Sequence, residues 1–114
     1  MKKIVLVVDS DIEIRKFIKS FLEEFGFEVI TCAFADEAAI KCLEEADVLV
    51  TGLVLIGTTG DQFAEKAKKI KPGIPVLILT SYPELVPDDH FADKVVVKPF
   101  DVRVVISWLE KVTG

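Results

Sequence analysis

The feature that most constrains the fold is an alternation, along the whole chain, of short apolar runs with amphipathic segments. Most of these runs are rich in β-branched residues and lack polar interruption, which is typical of a strand buried on both faces of a sheet. The segments between the runs place apolar residues at helical spacing, which predicts helices that cover the sheet. The five predicted strands are 4–8, 27–32, 48–50, 76–79 and 95–97.

The predicted helices carry local start and stop signals. Ser10 and Glu13 fit a capping box for the first helix, and Gly26 follows its end. Pro83 and Pro87 leave room for only a short fourth helix. Asp36 is the predicted cap of the second helix, and a turn is expected at 57–60, before a third helix from Asp61. The residues expected to face inward are Ile14, Phe17, Ile18, Phe21, Leu22 and Phe25 in the first helix, Phe63, Ala67 and Ile70 in the third, and Val102, Val105, Ile106 and Leu109 in the last.

Strands that alternate with helices indicate a single α/β domain, residues 1–114, with a parallel sheet covered on both faces. In such doubly wound sheets the working site lies at the carboxyl ends of the strands. The candidate site residues are therefore those just past each strand, at 9–11, 51–52, 80–81 and 98–99.

Charge and composition exclude several classes of function. Nineteen acidic against fourteen basic residues give a net charge of -5, which disfavours nucleic acid and anionic membranes. No apolar stretch approaches the roughly 20 residues of a membrane span. Cys32 and Cys42 make no disulfide framework and are expected to be inert, in a reducing cytoplasmic setting. The chain has no asparagine and only one glutamine, which favours a heat-adapted source.

Four motifs, in order at four strand ends, resemble the receiver domain of bacterial response regulators, the CheY-like family. They are V-V-D-S-D after the first strand, G-T-T-G after the third, L-T-S after the fourth and V-K-P-F after the fifth. The resemblance implies a flavodoxin-like sheet of order 2-1-3-4-5. It also implies an acidic pair and an aspartate that hold Mg²⁺, and a kinase that phosphorylates that aspartate.

The sequence departs from the family's pattern at the residues that would carry out this chemistry. Asp9 stands at the first acidic position, but Ser10 replaces the second and Gly52 replaces the phosphoacceptor. Glycine has no side chain and cannot form an acyl phosphate. With both direct carboxylates gone, Mg²⁺ binding is predicted to be weak or absent, with Asp9 and Asp11 the only candidate ligands. No cofactor and no enzymatic activity are expected.

The other half of the implied pocket is retained. Thr80, Lys98 and Pro99 match the family's phosphoryl-binding and signalling positions, and the resemblance implies a cis bond before Pro99. Asp9 ends a buried strand and needs a partner, so we predict an ion pair between Asp9 and Lys98 that orders the pocket without a metal. These departures indicate a pseudo-receiver.

Signalling is expected to run through protein contacts. The residue three before the lysine, an aromatic in the family, is Val95 here, so the usual switch is altered. Val104 and Trp108 lie four apart on the outer side of the last helix, which favours a partner face, although Trp108 can equally pack against the neighbouring shortened helix. The expected partners are a histidine kinase, a downstream signalling protein or a second copy of the chain, and not nucleic acid or a membrane.

Two alternatives stay open at this point. One is a true phosphotransfer protein with another acceptor, such as Thr51, Ser10 or Asp9. The other is a flavodoxin-like cofactor binder, which needs a phosphate-cradling loop after the first strand. Asp9 and Asp11 occupy that loop and repel phosphate, which disfavours this second alternative.

Overall fold

In the computed structural model, which describes residues 1–114, strands and helices alternate as the apolar pattern predicts. The strands are β1 (Ile4–Val8), β2 (Glu28–Cys32), β3 (Val48–Gly52), β4 (Val54–Leu55), β5 (Thr58–Thr59), β6 (Val76–Thr80) and β7 (Lys94–Val97). The helices are α1 (Ile12–Glu24), α2 (Glu37–Leu43), α3 (Gly60–Ile70) and α4 (Val102–Thr113).

Five strands form one parallel sheet in the order β2-β1-β3-β6-β7. Since β6 and β7 are the fourth and fifth strands of this sheet, the expected order 2-1-3-4-5 is confirmed. Every residue of β3 and β6 is buried, as the uninterrupted apolar runs predict. Parallel pairing brings the carboxyl ends of all five strands to the same edge of the sheet.

Two apolar layers cover the sheet, one on each face. Alternate residues of β1 divide between them: Val5 and Val7 join the layer under α1 and α4, and Leu6 and Val8 join the layer under α2 and α3. The first layer holds 15 buried residues and the second holds 12, so neither face of the sheet depends on a partner for burial. None of the four helices is long and apolar enough to cross a membrane.

The fourth helix is reduced further than expected, to a single 3-10 turn at Pro83–Leu85.

The predicted turn at 57–60 is wrong in its extent. A two-stranded antiparallel hairpin of β4 and β5 forms there, closed by Ile56 and Gly57, and Gly57 has a φ of 81°. Thr59 caps α3, which therefore begins at Gly60 rather than Asp61.

Three residues predicted to face inward are about half exposed: Phe17 and Phe25 on α1 and Ile70 on α3. The buried stripe of α1 is narrower than its apolar stripe and consists of Ile18, Phe21 and Leu22.

The predicted signals at the end of α1 and the start of α2 are confirmed. Gly26 adopts a φ of 91° after α1, and Asp36 accepts hydrogen bonds from the first turn of α2.

Candidate functional site

The carboxyl ends of the central strands surround a small cavity of about 150 Å³. Five of the six predicted pocket residues line it: Asp9, Ser10, Gly52, Thr80 and Lys98. The sixth, the proline that follows the lysine, lies against a neighbouring apolar groove instead. The strand-end argument therefore brings the predicted residues together at one site.

Asp9 is buried and makes contacts with both of its carboxylate oxygens. Its Oδ1 accepts a hydrogen bond of 2.9 Å from the backbone N–H of Asp11, and its Oδ2 lies 3.5 Å from the Nζ of Lys98. The Asp9 backbone is also held, since its N–H donates to the Cys32 carbonyl and its own carbonyl accepts from the Arg15 guanidinium. The predicted ion pair between Asp9 and Lys98 is confirmed.

The β6 and β7 side of the cavity is ordered by backbone pairing. The N–H of Lys98 donates to the carbonyl of Thr80 at 2.8 Å, and the peptide bond between Lys98 and Pro99 is cis, as the resemblance implies. Thr80 is buried, and its Oγ1 accepts from the N–H of Tyr82. One lone pair of this hydroxyl is thereby used within its own loop.

The β1 side differs from the predicted capping box. Ser10 is exposed and is not the N-cap of α1. That position belongs to Asp11, whose Oδ1 accepts from the N–H of Glu13 at 2.9 Å. Both residue types are good N-caps, so the sequence did not separate them. The Asp11 carboxylate is thus turned to the start of α1, and this end of the helix is already satisfied by its own side chain.

Gly52 ends β3, paired with Leu79 of β6, and presents only its backbone to the cavity. A Cβ built on Gly52 would lie 2.7 Å from Oδ2 of Asp9. On its other side, the carbonyl of Gly52 is so close to Gly60 that a Cβ there would overlap it. The hydroxyl of Thr51 donates to this same carbonyl.

The residues present do not fit the Mg²⁺ ion that the fold family implies. Mg²⁺ favours octahedral oxygen ligation with one or two free carboxylates. Asp9 is paired with Lys98, Asp11 caps α1, and no cluster of three or more histidine, cysteine or acidic side chains is placed to hold a metal.

None of the three alternative acceptors is presented as a free nucleophile at the cavity. The Thr51 hydroxyl is buried and donates to the Gly52 carbonyl, and the Asp9 carboxylate is paired. Ser10 is exposed, and the carboxylates on either side of it are engaged elsewhere, Asp9 with Lys98 and Asp11 with the start of α1. This arrangement disfavours phosphotransfer to a non-standard acceptor.

Cys32, at the end of β2, lies beside the site without entering it. Burial, assisted by the nearby Cys42 thiol, raises the pKa of Cys32 to about 11. At neutral pH the thiol form is therefore favoured, which is unfavourable for reaction with electrophiles.

The three residues predicted to form a partner face do not share one surface. Val104 is 44% exposed, and Trp108 is half-buried and packs against the layer beneath α1 and α4. Both line an open groove of about 610 Å³ along α4. Val95 is half-buried on β7 and does not line it. The groove also contains Lys94, Asp101, Arg103, Ser107 and Lys111.

Sequence reasoning missed an aromatic cluster beside the cavity. The rings of Phe17, Phe21 and Phe100 have centroids between 5.2 and 6.3 Å apart. Phe17 and Phe100 also line an apolar groove with Ile14 and Pro99. The available signal was Phe100 in the V-K-P-F motif, directly after the proline, at a position where an aromatic side chain must contact α1.

A doubly wound parallel sheet of this order, with a lysine and a cis-proline at its carboxyl edge, defines a CheY-like signalling domain. The sequence profile of the response regulator receiver domain matches residues 5–110. The chain belongs to this family and is a receiver domain of two-component signal transduction.

Curated relatives agree with this assignment. The chain is 33% identical over 107 residues to a probable transcriptional regulator, ycf27, from Cyanophora paradoxa. The matched region covers 90% of this chain and 44% of that regulator. It is 31% identical over 116 residues to the receiver protein CpdR from Brucella abortus, across 97% of this chain and 96% of that protein. The chain spans less than half of several transcriptional regulators that it matches.

Solved structures agree as well. The response regulator TrrA from Thermotoga maritima, in complex with Mg²⁺ and beryllofluoride, superposes with a TM-score of 0.88 at 29% identity, across 96% of this chain and 98% of TrrA. A CheY-like receiver domain from Methanospirillum hungatei gives 0.87 at 28% identity, across 99% and 95% of the two chains.

Proposed function

We propose that this receiver domain signals without being phosphorylated. The observation that carries the proposal is the position of the Asp9 carboxylate, which lies where a side chain at position 52 would begin and is paired with Lys98. A phosphoryl group needs an acceptor oxygen at that place and a free lysine beside it. Here the acceptor is absent, and the lysine is already neutralised by a residue of the domain itself.

The proposal includes metal independence. Carboxylates crowded around an Mg²⁺ ion repel one another when the metal leaves, so such a pocket gains order from the metal. This pocket instead balances one buried carboxylate with one ammonium group. Its order then does not depend on the concentration of Mg²⁺.

The output of the domain is contact with another protein: a histidine kinase, a downstream signalling protein or a second copy of the chain. Val95, Val104 and Trp108 were predicted for this face, and the groove along α4 supports the last two. A surface that combines an exposed aliphatic, a half-buried tryptophan and a polar rim has the composition of many protein interfaces.

Intact-mass spectrometry after incubation with acetyl phosphate and Mg²⁺ tests the phosphorylation claim. We expect the wild-type mass to be unchanged. TrrA, whose crystal structure contains Mg²⁺ and beryllofluoride, is the positive control for the reagents. A mass increase of one phosphoryl group in the wild type would overturn the proposal, and peptide mapping would then identify the acceptor.

The partner face is tested by substitution at a position that leaves the fold intact. Val104→Asp places a charge in the groove at a side chain that is already 44% exposed. We expect it to abolish self-association, measured by light scattering, or binding to a cognate kinase or downstream protein. Ile56→Asp, at an exposed aliphatic residue of the β4–β5 hairpin that lines neither this groove nor the strand-end cavity, is the control and should bind normally. Equal binding by both variants would exclude this face.

A further inference from the structure

The space above Gly52 is occupied by the carboxylate of Asp9. A Cβ at position 52 would lie 2.7 Å from Oδ2 of Asp9 and 3.3 Å from its Cγ. Real Cβ atoms essentially never approach another atom more closely than about 3.0 Å. A side chain at this position therefore requires the Asp9 carboxylate to shift, and the cost depends on how free that carboxylate is to move.

Asp9 has little freedom to give way. Its side chain is 8% exposed, one oxygen accepts from the N–H of Asp11, and the other faces the ammonium of Lys98. Its backbone is fixed between the Cys32 carbonyl and the Arg15 guanidinium. Rotation of the carboxylate away from Gly52 would break at least one of the two side-chain interactions, and a buried carboxylate without partners is unfavourable.

Backbone conformation is not the reason for the glycine. Three glycines of the chain adopt the left-handed conformation, and Gly52 is not one of them. Its φ is compatible with any L residue, and β3 is a regular strand up to this position. At such a site an alanine would ordinarily be neutral or stabilising, because it restricts the unfolded chain. Only the contact with Asp9 opposes it.

We propose that Gly52 and Asp9 form a mutually dependent pair, in which Asp9 is the internal replacement for the missing carboxylate and the glycine is required to admit it. Asp9 is a positioning residue that holds Lys98 at the cavity, and Gly52 leaves the volume that Asp9 fills. This inference rests on the proposed function. The inference adds a second reason why the pocket does not accept a phosphoryl group: besides the missing acceptor, the Asp9 carboxylate occupies the space above Gly52.

A double-mutant cycle of Gly52→Ala and Asp9→Ala tests the pair, with folding equilibrium constants measured by urea denaturation. In the wild-type background, Gly52→Ala should lower the folding constant by about tenfold or more, equivalent to about 1.4 kcal/mol. In the Asp9→Ala background the same substitution should change it by less than about threefold, because its obstacle is gone. Equal effects in the two backgrounds, or no effect in either, would overturn the inference.

A second measurement applies even if Asp9→Ala does not fold. Amide hydrogen exchange of Asp11 reports on the bond that this N–H donates to Asp9. Gly52→Ala should accelerate exchange at Asp11 clearly more than at the β1 amides, which follow only the roughly tenfold loss of global stability. Acceleration at Asp11 no greater than at the β1 amides would show that the Asp9 contact has not been disturbed, which contradicts the inference. Phosphoryl labelling enters neither measurement, so failure here is distinguishable from failure of the proposed function.

Discussion

The two sides of the pocket differ in how far they match the residues that the family resemblance implies. The side built by β6 and β7 has the implied Thr80, Lys98 and cis bond to Pro99. On the side built by β1 and β3, Ser10 and Gly52 stand where the resemblance implies carboxylates. The backbone of the whole domain nevertheless superposes on a solved response regulator with a TM-score of 0.88. The role of Lys98 depends on the group that faces its ammonium, and in this pocket that group is the Asp9 carboxylate.

The difference has a physical basis. The sheet is held by two apolar layers that lie away from its carboxyl edge, so edge residues can change without loss of the core. A lysine left without any carboxylate would be a partly buried charge without a partner. Asp9 supplies that partner and so removes the penalty.

The largest effect is expected where the β3 side of the pocket meets α3. Gly60→Ala would place a Cβ on the carbonyl of Gly52, and two backbones would have to separate. We expect a loss of about 3 kcal/mol in the free energy of unfolding, measured by urea denaturation. Gly73→Ala, which meets no atom but has a φ of 87°, is the control and should cost about 1 kcal/mol. Equal costs would show that the close approach of α3 to β3 is unimportant.

The second largest effect is expected at Lys98, on the side of the pocket built by β6 and β7. Lys98→Met removes the ammonium group 3.5 Å from buried Asp9. Breaking a fully buried pair costs 3–5 kcal/mol, and because Lys98 remains partly exposed we expect about 2 kcal/mol. Lys94→Met changes a lysine at the start of β7 that forms no ion pair, and it should alter stability by less than about 0.5 kcal/mol. A loss below about 0.5 kcal/mol for Lys98→Met would mean that Asp9 does not need this partner.

The smallest effect is on reactivity rather than stability. The pKa of Cys32 is raised to about 11, above its ordinary value of 9.0, so its thiolate fraction at neutral pH falls by about a hundredfold. A Cys42→Ser variant removes the second thiol but keeps burial, the largest cause of the raised pKa, so alkylation of folded Cys32 by iodoacetamide should still be slow at pH 7 and accelerate as the pH rises. Urea-unfolded protein is the control. Equal rates in the folded and unfolded states at pH 7 would contradict the shift.

Most of the fold was predictable because four of the five strands of the main sheet contain uninterrupted apolar runs and its helices carry recognisable caps. The errors fall where signals were local or ambiguous. Phe17 continues the apolar stripe of α1, but this stripe is wider than the surface that the sheet covers. The two-residue strands of the β4 hairpin are too short for any periodicity to show.

The site was predictable as a set of residues and less so as a set of contacts. Adjacent strand ends with opposite charges predicted the pair of Asp9 and Lys98, since parallel strands end at one edge. The position of the Asp9 carboxylate above Gly52 was not predicted, because it depends on side-chain torsions that sequence spacing does not determine. The N-cap of α1 is Asp11 rather than the predicted Ser10, and the sequence could not separate the two because both residue types are favoured at this position.

The most direct test of the account is titration of the ¹⁵N-labelled domain with Mg²⁺ and beryllofluoride, monitored by nuclear magnetic resonance. TrrA is the positive control, since its complex with both is known. The account predicts that the amides of Asp9, Asp11, Gly52 and Lys98 keep their chemical shifts, because the pocket already contains its own ion pair. Saturable shifts at these four amides would show a pocket that still accepts a metal and a phosphoryl group, and would contradict the account.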